Sequence, residues 1–134
     1  MMRLKTEIII AAEVKRAQSL GLFAALIKKG DETAGQIYVI ICRNNTDFLL
    51  IGPALGQTIN DDGQRVWQYP LGDDILCQDK VNNYLDKIMN FDCDIYILEV
   101  EDRDLEFRPM GVFGGVKGRQ EDKLKLAADS IFKR

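Results

Sequence analysis

The chain has 134 residues, 46% of them hydrophobic and 29% charged, with a net charge of −3. That length supports one domain with a core of its own. The mild acidity argues against a protein that grips nucleic acid or an anionic membrane by net electrostatics, leaving only a local basic patch for such a role. Histidine is absent, and the three cysteines, Cys42, Cys77 and Cys93, form no CxxC pair. Neither a disulfide framework nor a Cys/His zinc site is expected, and a Ser/His or Cys/His nucleophile pair is excluded within the chain.

At the N-terminus, Arg3 and Lys5 precede the apolar run Ile8 to Ala12, but Glu13, Lys15 and Arg16 cut that run too short for a signal peptide. No stretch reaches the length of a membrane span. The expectation is a cytoplasmic protein with reduced cysteines. The spacing of Ile10, Val14 and Ala17 predicts a helix from Glu7 to Leu20, with Thr6 as its cap and Gly21 as its stop. A short strand at Ile8 to Ala11 before a shorter helix is the rival, and periodicity does not choose between them.

The stretch from Gly21 to Leu55 carries three apolar runs, Leu22 to Ile27, Ile37 to Cys42 and Phe48 to Ile51, that read as strands of an antiparallel meander. Gly30 and Gly35 near the ends of the first connection would supply positive φ. Asn44 and Asn45 suit a tight hairpin in the second. Ile37 to Cys42 shows no polar alternation, so both its faces should be covered, as in a central strand. Gly52-Pro53 ends the third strand, because proline cannot donate to a ladder.

Beyond a polar loop from Gly56 to Gly63, Arg65 to Tyr69 alternates like a fourth strand closed by Pro70, and Leu71 to Asp74 reads as a turn. Asp79 to Asn90 is a strongly patterned helix, with Val81, Tyr84, Leu85, Ile88 and Met89 on one stripe and Asp79 as cap or first-turn acid. Asp94 to Glu101 is a strand, Tyr96, Leu98 and Val100 on one side and Ile95, Ile97 and Glu99 on the other. The chain then turns at Glu101 to Asp104, reads as irregular from Arg108 to Gly118, and ends in a helix from Glu121 to Lys133 with Leu124, Ala127, Ala128 and Ile131 on one face.

No motif carries a chemistry by itself. The glycines from Gly111 to Gly118 lack the hydroxyl after Lys117 that a phosphate loop needs, and read as a linker. Asn60 to Gly63 would begin a calcium loop whose twelfth position is Leu71 rather than glutamate. Glu99, Glu101 and Asp102, with Asp92 and Asp94 nearby, could bind a hard cation or do acid–base work, but charged strand ends are commonplace. Trp67 could stack on a ligand, although a lone tryptophan more often closes a core. Lys28-Lys29 could grip an anion, and a charged hairpin shoulder is the default.

The ordered set Arg3-Leu4-Lys5, Arg16, Gly21, Lys29-Gly30-Asp31 with Ala34-Gly35, Gly52-Pro53-Ala54, Asp62-Gly63 with Trp67, Leu71-Gly72, Tyr84-Leu85, Phe91-Asp92 and Glu99 through Arg103 resembles the bacterial family catalogued as domain of unknown function 1491. The likeness spans roughly Arg3 to Arg103; the tail from Asp104 departs from the pattern. The resemblance implies a small cytoplasmic protein and supplies no activity. It draws attention to Arg16, Asp31, Trp67, Glu99, Asp102 and Arg103 as a shared ligand-binding surface.

The fold expected is α+β: a single domain with a mainly antiparallel sheet of four to five strands, on which an N-terminal helix, a middle helix and a C-terminal helix pack. Residues 1–104 would form the compact domain, and 105–134 a Gly-containing linker and C-terminal helix packed on it or on a partner. The function expected first is a non-enzymatic binding or adaptor protein that self-associates or takes a protein partner, with no catalytic residue, metal or cofactor. The alternative is a small enzyme or binder of an anionic metabolite or nucleotide, using carboxylates near Glu99 to Asp102 with Arg16 or Arg103 as the anion clamp. Nucleic-acid binding through Trp67 and Lys28-Lys29 is disfavoured by the net acidity, and no membrane contact is expected.

Overall fold

The structure is a computed structural model and describes residues 4–114. It contains α1 (Thr6–Ser19), β1 (Phe23–Lys28), β2 (Ile37–Arg43), β3 (Asp47–Pro53), β4 (Val66–Gln68), α2 (Gln78–Phe91), β5 (Tyr96–Glu101) and β6 (Val112–Phe113). The six strands form one sheet in the order β1-β5-β2-β3-β4-β6. β5 runs parallel to β2, and β6 parallel to β4, while the remaining pairs are antiparallel. The sheet is therefore mixed and six-stranded, not an antiparallel sheet of four to five strands. Two helices flank it; the helix expected from Glu121 to Lys133 lies outside the described residues.

The Ile8 to Ala12 run is helical. Thr6, Ile10, Glu13 and Ala17 are the buried residues of α1, spaced as one helical stripe. Thr6 is not the cap: Lys5 holds the extended N-cap conformation and Thr6 begins the helix, with its Oγ1 donating to the Gly35 carbonyl at 2.9 Å. Loop carbonyls take over the capping role, accepting from the Thr6 N–H (Thr33, 3.3 Å) and the Glu7 N–H (Glu32, 3.0 Å). α2 has Cys77 at its N-cap and Asp79 in its first turn, where a carboxylate complements the helix dipole.

The meander is broken at its first step, because β5 sits between β1 and β2. Strands in a sheet lie about 4.8 Å apart, and residues 29–36 are ample to step across one intervening strand. Gly30 and Gly35 serve this crossing by closeness rather than by positive φ. A Cβ on Gly35 would lie 2.6 Å from the Asp94 carbonyl oxygen, and one on Gly30 would collide with the same backbone. The Asp31 N–H donates to that carbonyl at 3.0 Å. The β2–β3 hairpin turns at Asn44 (φ 55) and Asn45 (φ 58), both in the left-handed region that asparagine tolerates.

β2 is buried from Ile37 to Cys42, as its unbroken apolar run predicts. Ile37, Val39 and Ile41 join Ile10, Ala17, Leu49, Ile51, Trp67, Tyr96, Leu98 and Val100 on the α1 side. Tyr38, Ile40 and Cys42 join Leu50, Val81, Leu85, Ile95 and Ile97 on the α2 side. Fully burying each large side chain contributes roughly 1.5–3 kcal/mol of transfer free energy. After β5 the chain re-enters the α1-side core through Leu105 and Phe107. It then forms β6 within the stretch read as irregular from Arg108 to Gly118.

Candidate functional site

Three of the six singled-out residues converge on one segment of the chain itself. Asp102 is 8% exposed and follows the end of β5. Its Oδ1 accepts the Asp104 N–H at 3.0 Å, and its Oδ2 accepts those of Glu106 (2.9 Å) and Phe107 (2.7 Å). Burial alone would raise its pKa, but the three N–H donors and the nearby Arg108 charge outweigh that and hold it below the ordinary aspartate value. Arg16 lies over the Phe107 ring, 4.7 Å from its centroid, and its Nη2 donates to Glu13 Oε1 at 3.0 Å and to the Arg108 carbonyl. Trp67, 1% exposed, donates its indole N–H to the Met110 carbonyl at 2.9 Å.

Two residues not singled out complete this clasp. Glu13, 4% exposed, accepts the Met110 N–H on Oε2 at 2.9 Å. Arg108 donates from Nε to the Tyr69 hydroxyl (2.9 Å) and from Nη1 to the carbonyls of Leu105 (2.9 Å) and Phe107 (2.8 Å). Glu13 stands three residues after Ile10 and four before Ala17, so a charged residue on the buried stripe was the readable signal. Arg108 left none, because its acceptors are set by a turn that only the fold creates.

The other three residues lie elsewhere. Asp31 is exposed and shapes its own loop, its Oδ2 accepting the N–H groups of Thr33 (3.2 Å) and Ala34 (2.7 Å). Glu99 faces the opposite side of the sheet from Arg16, against the Cys42 thiol and across from Ala25 of β1. Burial, then the Glu99 contact and the Glu101 charge, push that thiol up to about 12. Arg103 is exposed and lines, with Asp102, Glu101 and Arg43, an open polar hollow of about 610 Å³ at the carboxyl ends of β2 and β5. In that hollow Asp102 is engaged as above, and Arg43 pairs with Asp47 at 2.8 Å. Among the described residues, no three side chains of the His/Cys/Asp/Glu type come together to hold a metal ion. No helix among them is long and apolar enough to cross a membrane.

The sheet ends in two unlike strands. β6 is two residues long. β1 is six residues long, pairs on one side only among the described residues, and exposes Phe23 (64%), Leu26 (42%) and Ile27 (56%). Its lysine, Lys28, turns inward and donates to the carbonyls of Cys93 and Ile95. No proline interrupts the strand. Phe91, 91% exposed, ends α2 two residues before Cys93.

A mixed six-stranded sheet with a helix on each face and a clasped C-terminal segment defines a small α+β domain. The chain belongs to the family described as "Protein of unknown function (DUF1491)", which matches residues 4–108. The match runs past Arg103, so Leu105, Phe107 and Arg108 of the clasp lie inside the family's domain. Among solved structures, a DUF1491 family protein from Caulobacter crescentus CB15 is 32% identical, with a TM-score of 0.67 over 81% of this chain and 98% of its own. An NMR structure of a DUF1491 family protein from the same organism is 29% identical, with a TM-score of 0.69 over 85% of this chain and 99% of its own. Protein Atu0922 from A. tumefaciens is 30% identical, with a TM-score of 0.64 over 75% of this chain and 87% of its own. No curated protein matches the chain.

Proposed function

We propose that this is a cytoplasmic, non-enzymatic binding protein that works through the free edge of its sheet, pairing β1 with β1 of a second copy. The observation that carries this reading is β1 itself: six residues with one side unpaired among the described residues and three exposed large apolar side chains. Natural proteins blunt such edges with inward charges, prolines or very short strands. β6 is short; on β1 the inward Lys28 and the register irregularity between Leu26 and Lys28 lie at the last residues of the strand, and Phe23 to Leu26 carry neither device. Antiparallel pairing about a two-fold axis satisfies both backbone edges at once and covers the same apolar residues on both copies.

Sedimentation over a concentration series tests this with the whole chain and with Ala24→Pro, which removes from β1 a backbone donor that faces away from β5. The expected result is a dimer for the unaltered chain and a monomer with unchanged circular dichroism for the variant. A monomer at every concentration would sink the reading. The polar hollow at Asp102 and Arg103 supports a second reading, an anionic small molecule held near Arg103. Native mass spectrometry checks it, by a small added mass on the freshly purified protein that disappears on denaturation and is lost in Arg103→Ala.

A further inference from the structure

α1 is apolar on two faces. Its buried stripe, Ile10 and Ala17 with Thr6 and Glu13, meets the sheet. A second row, Leu4, Ile8 and Ala12, follows at intervals of four residues, the first just ahead of the helix, and stays exposed. A surface helix buries one apolar stripe, and a helix that is apolar on further faces is covered on them as well. Beyond this row the apolar surface continues through Ile9, Ile59 and Met110. Together these residues line an open groove of about 510 Å³ between α1, the loop before β4 and the segment before β6. Leu4 (64%), Ile8 (48%) and Met110 (65%) stand open to solvent, so no described residue covers the groove.

The polar groups at its edge serve the domain itself. Glu13 accepts the Met110 N–H and the Arg16 guanidinium, and Gln64 Oε1 accepts from Asn60 Nδ2 at 3.2 Å. A small-molecule site sets a few polar groups to fix its ligand. This groove offers apolar side chains instead, as does a groove that takes the apolar face of a helix.

Within its reach is the continuation of the chain. Gly111 lines the groove, and Gly114, the last described residue, donates its N–H to the carbonyl of Trp67, two positions after Arg65 of the groove wall. The three steps from Gly111 to Gly114 carry the strand about 10 Å away. Residues 115–120, Gly115 and Gly118 among them, span up to about 20 Å when extended, which is enough to return. The segment from Glu121 to Lys133 then carries Leu124, Ala127, Ala128 and Ile131 at helical spacing. A helix of that length is about 20 Å long, close to the length of α1. The two alanines in the middle of its stripe match Ala12 on α1, and small residues let helix axes come to the near end of their usual separation of roughly 8–10 Å. A segment tethered this closely acts at an effective concentration on the order of millimolar, which favours it over a second copy or an outside partner in dilute solution.

We propose that the apolar groove beside α1 is the docking site of the chain's own C-terminal segment, residues 121–133, bound as a helix with its Leu124–Ile131 stripe against Ile8, Ala12 and Met110. Of the two surfaces expected for that segment, the domain itself or a partner, the groove offers the first. It contains no residue of β1, so the inference stands whether or not β1 self-pairs.

The test is paramagnetic broadening in the ¹⁵N-labelled full chain. Cys77→Ser and Cys93→Ser remove the two exposed thiols, and Cys42 is buried. A nitroxide is then attached at Ser130→Cys, beside the stripe rather than on it. The amides of Ile8, Ala12, Gln64 and Met110 should lose most of their intensity, and those of Val81 and Leu85 on the other face of the sheet should keep it. Adding Leu124→Asp and Ile131→Asp should restore the lost signals while the rest of the spectrum holds. A mixture of ¹⁵N chain without nitroxide and nitroxide-bearing chain without ¹⁵N should show no loss. Full intensity at the groove amides, loss centred on other residues, loss that survives the two aspartates, or equal loss in the mixture, the mark of a second copy, would each overturn the proposal.

Discussion

The two ends of the sheet are finished by opposite means. At the β4–β6 end, the chain leaving β5 is drawn back over the α1 face. Asp102 accepts three N–H groups there, Arg16 lies over Phe107, and Trp67 and Glu13 hold the carbonyl and the N–H of Met110. At the β1 end the outer strand stays open among the described residues, with Phe23, Leu26 and Ile27 toward solvent. The difference teaches where to look for function in a domain with no catalytic signature. Polar residues that stand out in the sequence secure one end; at the other, Asp31 shapes its own loop and Glu99 meets the Cys42 thiol, and the outer strand is left to offer a surface.

If that contrast is right, cutting the clasp should have the largest effect on stability. Asp102→Ala leaves three backbone N–H groups without their acceptor and should cost about 3 kcal/mol in urea unfolding. The pH dependence has a definite sign. Because the folded pKa of Asp102 is depressed, its contribution is present above the unfolded aspartate value and is lost as pH falls through the folded one. The acid limb of the stability curve should therefore be shallower in the variant. Trp67→Phe comes next: it keeps an aromatic ring but strands the Met110 carbonyl and leaves a small void, for a loss of about 2 kcal/mol by the same measurement.

The α2 side of the sheet should sharpen the picture at the other extreme of pH. Burial pushes Cys42 and Tyr38 each up to about 12 from ordinary values of 9.0 and 10.0. Their stabilising contribution is complete below the unfolded values and is lost as pH rises from there toward about 12. Chemical unfolding at stepped pH should show stability falling over that window, and less steeply in Tyr38→Phe. The same burial predicts that a thiol reagent modifies the exposed Cys77 and Cys93 in the folded protein, and Cys42 only on unfolding. Rapid reaction of all three in the native state would contradict the packing around β2.

What the sequence made legible was periodic and local. The unbroken run of β2, the alternation of β5, the stripe of α2 and the Asn44–Asn45 turn each declare themselves within a few residues. The strand order did not, because nothing in β1 or β2 names its neighbour. The insertion of β5 depends on pairing with β2 at 59 positions' distance and with β1 at 69 to 78. Arg16, Trp67 and Asp102 stood out as a set, yet their roles were hidden for the same reason. Arg16 meets a carbonyl 92 positions away, and Trp67 one 43 positions away. A residue list cannot distinguish a side chain waiting for a ligand from one that grips its own backbone.

The smallest stability effect belongs to the most informative change. Leu26 pairs with Leu98 of β5 and is 42% exposed, so Leu26→Lys places a charge on the outer strand without opening the core. Surface substitutions of this kind shift stability by no more than about 0.5 kcal/mol, far less than breaking the clasp. Its effect on association should be large, because two lysines brought together across a two-fold axis repel while the apolar contact is lost. Unfolding and sedimentation of the same sample separate the two terms. A variant as stable as the parent but monomeric means that β1 is a surface rather than part of the scaffold. A variant that loses as much stability as Asp102→Ala means that β1 is held from both sides, and that the two ends of the sheet are alike after all.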